Sequence, residues 1–220
     1  MKTNIRAIIF DFDGTLVDSI EDIADSINFV FHKNQIPVHP VSDYRKWIGD
    51  GLLSLMERAT NHVQISAEKF HSLTFEAKNY YADHCLTKTC MYEGIADLLN
   101  QISKQKISMN ILSNKPHAMT VQMVDALLNN WKFDYIFGQR EKVEKKPDPA
   151  AANEIASLLK ISPHEILFIG DSTNDILTAQ NAGMIPLGVT WGYGKEDEIK
   201  AYAKFFILNK ASDVLKYLKE

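Results

Sequence analysis

Residues 5–10 read Ile-Arg-Ala-Ile-Ile-Phe, and the six that follow read Asp-Phe-Asp-Gly-Thr-Leu. A nearly unbroken apolar run does not suit a strand with one wet face, which would alternate. It fits a strand covered on both sides, as in a parallel sheet. Short apolar runs recur at 107–112, 166–169 and 185–189, with weaker ones at 135–137 and 205–208, and helical patterns lie between them. Strands alternating with helices predict an α/β fold built on a doubly wound parallel sheet. In such sheets ligands bind beyond the carboxyl ends of the strands, so the acidic loop after residue 10 is the first place to look for chemistry.

One interval breaks the alternation. Between residue 16 and about residue 89 no strand pattern is convincing. Ile20, Ile23, Ala24, Ile27, Val30 and Phe31 recur at helical spacing, with Asp18 and Glu21 as a capping box and Pro37 and Pro40 as stops. Further helices are predicted over 43–47, 52–59 and 67–83. So much helix is too long for one crossover, and the expected organisation is a catalytic core of residues 1–16 and 86–220 with a small helical cap domain, 17–85, inserted. Later helices are predicted to start at Asp148-Pro149, at Ser162-Pro163 and near Pro116.

Composition narrows the function classes. The 220 residues carry 24 Lys and Arg against 28 Asp and Glu, a net charge of −4. That balance argues against nucleic acid as the main partner, which needs concentrated positive charge. No apolar run approaches the ~20 residues of a membrane span, and charge comes too early in MKTNIR for a secretion signal. Cys85 and Cys90 form neither a CxxC pair nor half of a zinc site. A cytoplasmic protein, monomer or homodimer, acting on a small molecule is the expectation. None of the seven histidines makes an HxH or HExxH pair, so zinc hydrolysis lacks ligands.

Two acidic clusters carry the functional signal. In Asp11-Phe12-Asp13-Gly14-Thr15 one carboxylate can serve as nucleophile or metal ligand while the other moves a proton, and Thr15 offers a hydroxyl to fix a carboxylate or phosphate. Gly170-Asp171-Ser172-Thr173-Asn174-Asp175 again follows a buried run. Alone, either could be an acidic turn or a helix cap. Together, Asp11, Asp171 and Asp175 make an oxygen-rich cage suited to Mg²⁺. Ser113-Asn114-Lys115 and Lys145-Lys146-Pro147 stand between them, and a hydroxyl, amides and an ammonium suit a phosphoryl group beside a metal.

These four motifs in order, Asp11-x-Asp13-x-Thr15, Ser113, Lys146 and Gly170-Asp171-x₃-Asp175, resemble the haloacid dehalogenase superfamily of phosphatases. The resemblance implies a Rossmann-like core with a cap at the position of the helical insertion. It implies Asp11 as nucleophile forming an aspartyl-phosphate and Asp13 as acid/base. Mg²⁺ would be held by Asp11, the Asp13 backbone carbonyl and Asp171. Ser113 and Lys146 would grip the phosphoryl group, with Lys145 the competing lysine; Thr15 and Asn114 would assist, and Asp175 would support the metal or Lys146. Asp13 argues against a dehalogenase, because a halide leaving group needs no proton. The stretch 44–59 and the loop 188–194 are similar to bacterial phosphoglycolate phosphatases, so 2-phosphoglycolate is the expected substrate, with Arg45 near its distal anionic end. Other small phosphates (pyrophosphate, sugar phosphates, nucleotides), a β-phosphoglucomutase-like mutase and a catalytically silent binding protein are the alternatives.

Overall fold

The computed structural model describes residues 4–202 and 207–218. The chain divides into two compact units, Met1–Val17 with Met91–Glu220, and Asp18–Cys90. It passes between them through two short strands, β2 (Val17–Asp18) and β3 (Cys90–Met91), which pair with each other.

The first unit is built on a parallel sheet. β1 (Ala7–Phe10) lies between β4 (Ser108–Pro116) and β6 (Ile166–Gly170); β5 (Tyr135–Gln139) extends the sheet beyond β4, and β7 (Ile185–Val189) and β8 (Ile207–Leu208) extend it beyond β6. Every residue of β1 and β6 is buried, which explains their unbroken apolar sequences. Side chains alternate between faces. Ala7 and Ile9 therefore join Ile166 and Phe168 in one cluster, packed on Ala152 and Ile155 of α7 (Ala150–Leu159) and Ala179 of α8 (Thr173–Asn181). α6 (His117–Leu127) packs on β4 and β5, α5 (Ile95–Ser103) on the 3₁₀ segment Ala211–Tyr217, and α9 (Glu196–Tyr202) on α8.

Register turns this sheet into a platform. Phe10 pairs with Ile111 on one side and Ile169 on the other, and Asp11 N–H donates to the Ile169 carbonyl (2.8 Å). Asp11 follows Phe10 directly, and Ser113 and Asp171 stand two residues beyond its partners, so all three lie toward the carboxyl edge of the sheet.

The second unit consists of α1 (Ile20–Lys33), α2 (Val41–Trp47), α3 (Leu52–Thr60) and α4 (Ala67–His84) among the described residues. The stripe Ile20, Ile23, Ala24, Ile27, Val30 and Phe31 is buried, as its spacing predicts. Buried Asp22 accepts from the backbone N–H groups of Lys88 and Thr89 and from the Thr89 hydroxyl (2.8–3.0 Å), which ties the returning chain to the first turn of α1.

Helix ends depart from expectation. Ser19, not Asp18, is the N-cap of α1, though its side chain makes no cap hydrogen bond, and Asp18 Oδ1 accepts a long bond (3.4 Å) from the Ile20 N–H. α1 stops at Lys33, ahead of both prolines, where Gln35 turns to positive φ. α7 begins after Pro149, with the Asp148 carboxylate accepting from Ala150 N–H (2.8 Å). Ser162-Pro163 opens only one 3₁₀ turn, because three residues later the chain enters β6. Of the predicted strand at 205–208, Ile207–Leu208 is β8 and the rest lies outside the described residues. No helix among the described residues is long and apolar enough to cross a membrane.

Candidate active site

Asp11 is the first residue past β1 and is almost wholly buried. Its Oδ1 lies 2.7 Å from Lys146 Nζ. The same ammonium donates to Asp175 Oδ1 at 2.6 Å, and the Lys146 side chain is 3% exposed. Burial alone would discharge such a lysine, but the Asp11 and Asp175 carboxylates outweigh it and hold the ammonium above the ordinary lysine range. Lys145 is exposed, so the two adjacent lysines are separated by burial. The backbone of Lys146 is pinned as well: its N–H donates to Asn114 Oδ1 (2.9 Å), and Asn114 Nδ2 donates to its carbonyl (3.1 Å).

Asp171, the first residue past β6, is held on both oxygens. Thr15 Oγ1 donates to Oδ1 (3.2 Å), and the backbone N–H groups of Tyr193 and Gly194 donate to Oδ2 (2.7 and 3.2 Å). Trp191 Nε1 donates to the Thr15 carbonyl (3.0 Å), so the loop after β7 braces both sides of this contact. Gly14 stands at φ +85°, and a Cβ there would fall onto the Asp171 carboxylate. Glycine is therefore required twice over, by backbone conformation and by close approach.

Asp175 sits in the first turn of α8. Its Oδ2 accepts from the N–H and hydroxyl of Ser172 (3.0 and 2.5 Å), a capping box. With Oδ1 on Lys146, both of its oxygens are engaged within the protein.

Ligand oxygens of Asp11, Asp171 and Asp175 lie within 4.8 Å of one another. Three carboxylates around one ammonium leave an excess of negative charge in a buried place. Burial, reinforced by the charges of Asp175 and Asp171, raises the Asp11 pKa well above its usual value. Burial and the Asp175 charge push Asp171 up to about 6, against the two backbone N–H groups. A divalent cation would relieve this repulsion, and the all-oxygen donor set fits a hard one. Among the described residues, Asp11, Asp171 and Asp175 are the three carboxylates whose oxygens lie close enough together to hold it.

Ser113 and Asn114, near the end of β4, are buried beside this cluster, and the Ser113 hydroxyl accepts from Lys115 N–H (3.2 Å). Asp13 is partly exposed, and Lys115 Nζ lies 3.0 Å from each of its carboxylate oxygens. Arg45 belongs to the helical unit, where its Nη2 is 3.4 Å from Asp18 Oδ2. Asp11, Asp13, Thr15, Ser113, Asn114, Lys146, Asp171 and Asp175 all lie in the sheet unit, Lys146 in the connection from β5 to α7 and the others at or beyond the ends of β1, β4 and β6.

Residues 8–189 match the family model of the haloacid dehalogenase-like hydrolases. The chain belongs to this family. Phosphoglycolate phosphatase 1 of Pseudomonas aeruginosa is 31% identical over 215 residues, 96% of this chain and 78% of that protein. The phosphoglycolate phosphatase of Pseudomonas fluorescens is 33% identical over 194 residues, 86% and 70% of the two chains. Among solved structures, a "predicted phosphoglycolate phosphatase" from Haemophilus somnus superposes with a TM-score of 0.93 at 28% identity, covering 99% of both chains. As a haloacid dehalogenase-like hydrolase with such relatives, the protein is a phosphatase.

Two contributions are invisible in the motifs alone. The N–H groups of Tyr193 and Gly194 carry no side-chain signature, although the glycine-rich loop 188–194 hints at a tight turn. Lys115 adjoins a motif residue, but only its burial and its pairing with Asp13 set it apart from a surface lysine.

Proposed function

We propose that this phosphatase hydrolyses a small phosphomonoester, 2-phosphoglycolate first among candidates, with Mg²⁺ and through an aspartyl-phosphate on Asp11. The observation that carries this reading is the triangle of Asp11, Lys146 and Asp171: a buried carboxylate at a strand end, an ammonium 2.7 Å away, and a second carboxylate for a metal. A carboxylate approaching a phosphate dianion meets like-charge repulsion. Mg²⁺ held by Asp11 and Asp171 supplies positive charge to the phosphoryl oxygens when bound. Lys146 supplies the protein's own share, and Asp175 holds it in place. Ser113, with Thr15 and Asn114 beside it, would donate to the phosphoryl group directly or fix the groups that do.

In the first half-reaction an Asp11 oxygen bonds to phosphorus while the ester oxygen leaves with a proton from Asp13. In the second, Asp13 takes a proton from water as that water displaces Asp11. Splitting hydrolysis this way lets one carboxyl group serve both halves. The helical unit would act as the cap that excludes water.

The relatives named phosphoglycolate phosphatase support the choice of substrate. Its carboxylate is a second anion, for which Arg45 is the candidate partner, exchanging Asp18 for the substrate. A panel of small phosphate esters assayed for released phosphate with Mg²⁺ tests the reading. Preferential release from 2-phosphoglycolate is expected. Isomerised sugar phosphate with no free phosphate would replace it with a mutase, and silence on every ester would refute it.

A further inference from the structure

Lys115, near the end of β4, faces Asp13. Its Nζ is 3.0 Å from both Oδ1 and Oδ2, and the two side chains are only 5% and 14% exposed. Burying an ammonium is costly unless it is paired, and buried lysines are correspondingly rare. The backbone beneath it is fixed. Its N–H donates to Ser113 Oγ, its carbonyl accepts from Thr120 Oγ1 of α6 (3.3 Å), and Gly138 of β5 passes so close to that carbonyl that a Cβ would overlap it. A lysine stem so anchored aims its head group reproducibly.

We propose that Lys115 is a positioning residue for Asp13, fixing the orientation of the carboxyl group that moves the proton in both half-reactions. The proposal rests on the acid/base reading of Asp13 given above. When the Asp11–phosphorus bond forms and the ester bond breaks, the proton on Asp13 goes to the leaving oxygen. When water attacks and the Asp11–phosphorus bond breaks, a water proton returns to Asp13. Lys115 keeps its three protons throughout. At every stage at least one carboxyl oxygen carries no proton, so the ammonium always has an acceptor and the carboxyl plane is never released.

A double-mutant cycle on the full-length enzyme with Mg²⁺ tests this, using an alkyl phosphate ester and p-nitrophenyl phosphate. Asp13→Ala should slow the alkyl ester by roughly 10²–10⁴-fold. Lys115→Met should lower kcat on that ester by roughly ten- to a hundredfold with KM little changed, misplacement being the only fault. In kcat/KM, which reports the first half-reaction, it should hurt p-nitrophenyl phosphate less, since nitrophenolate leaves without a proton. The decisive prediction is non-additivity: Asp13→Ala/Lys115→Met should be within about threefold of Asp13→Ala alone. Multiplying losses, or a loss confined to KM, would overturn the proposal and place Lys115 on the substrate. If Lys115→Met does not fold, the cycle is run with Lys115→Arg, which keeps the charge: partial activity, and no added loss on Asp13→Ala, is expected, and an added loss overturns it. Asp13→Ala turning over at the wild-type rate would instead refute the acid/base reading, and this inference with it.

Discussion

An Asp11 oxygen 2.7 Å from a buried ammonium is placed to react, and the amide of asparagine would keep the shape while removing the nucleophile. Asp11→Asn should therefore abolish turnover in a protein that keeps its circular dichroism and melting profile; substantial activity in a deamidation-free sample would remove Asp11 from the reaction. Arg45 makes a second residue-level prediction. Arg45→Ala should hurt 2-phosphoglycolate far more than p-nitrophenyl phosphate, since a charge-assisted contact is worth about 1.5–3 kcal/mol, roughly ten- to a hundredfold in kcat/KM. Equal losses on the two substrates would show that Arg45 serves the helical unit, where it meets Asp18, rather than the substrate's second anion. At this scale the sequence is uneven in what it reveals. Asp11 and Asp171 are legible because each follows a fully buried apolar run. Lys146 and Lys145 are indistinguishable as letters, and only the fold buries one and exposes the other. Thr15 reads as a hydroxyl able to fix a carboxylate, but its partner Asp171, 156 residues away, is named only by the fold.

At the scale of elements, α8 shows how a helix start serves the site. The Ser172–Asp175 capping box satisfies backbone donors and orients the carboxylate that holds Lys146. Ser172→Ala should cost about 0.5–2 kcal/mol, the usual value of a lost cap. At about 2–4 °C per kcal/mol for a chain of this size, a thermal melt would resolve it, and turnover should fall as Lys146 loses its anchor; an unchanged melt would show that the cap adds nothing to stability. The elements themselves were largely readable. The strands buried on both faces announce themselves by continuous apolarity, and α1 by its 3.6-residue stripe. Their ends were not. Asp18 and Ser19 are both good capping residues as letters, yet the Ser19 side chain makes no cap hydrogen bond; the Ser162-Pro163 start is cut short by β6.

For the molecule as a whole, the buried carboxylate cluster makes the free protein electrostatically unbalanced. Mg²⁺ should raise the melting temperature, by an amount equivalent to about 2.7 kcal/mol at a hundred times its dissociation constant. Chelation should abolish activity and Mg²⁺ restore it; full activity after exhaustive metal removal would take the metal out of the reaction. Ca²⁺ should bind without supporting turnover, because its looser coordination spoils in-line attack. The central claim is that hydrolysis proceeds by two displacements through Asp11, and the stereochemical course at phosphorus tests it most directly. With a phosphate ester made chiral by oxygen isotopes and sulfur, hydrolysed in isotopically labelled water, two in-line displacements predict net retention of configuration. Net inversion would mean that water attacks the substrate in a single step, and would contradict the account.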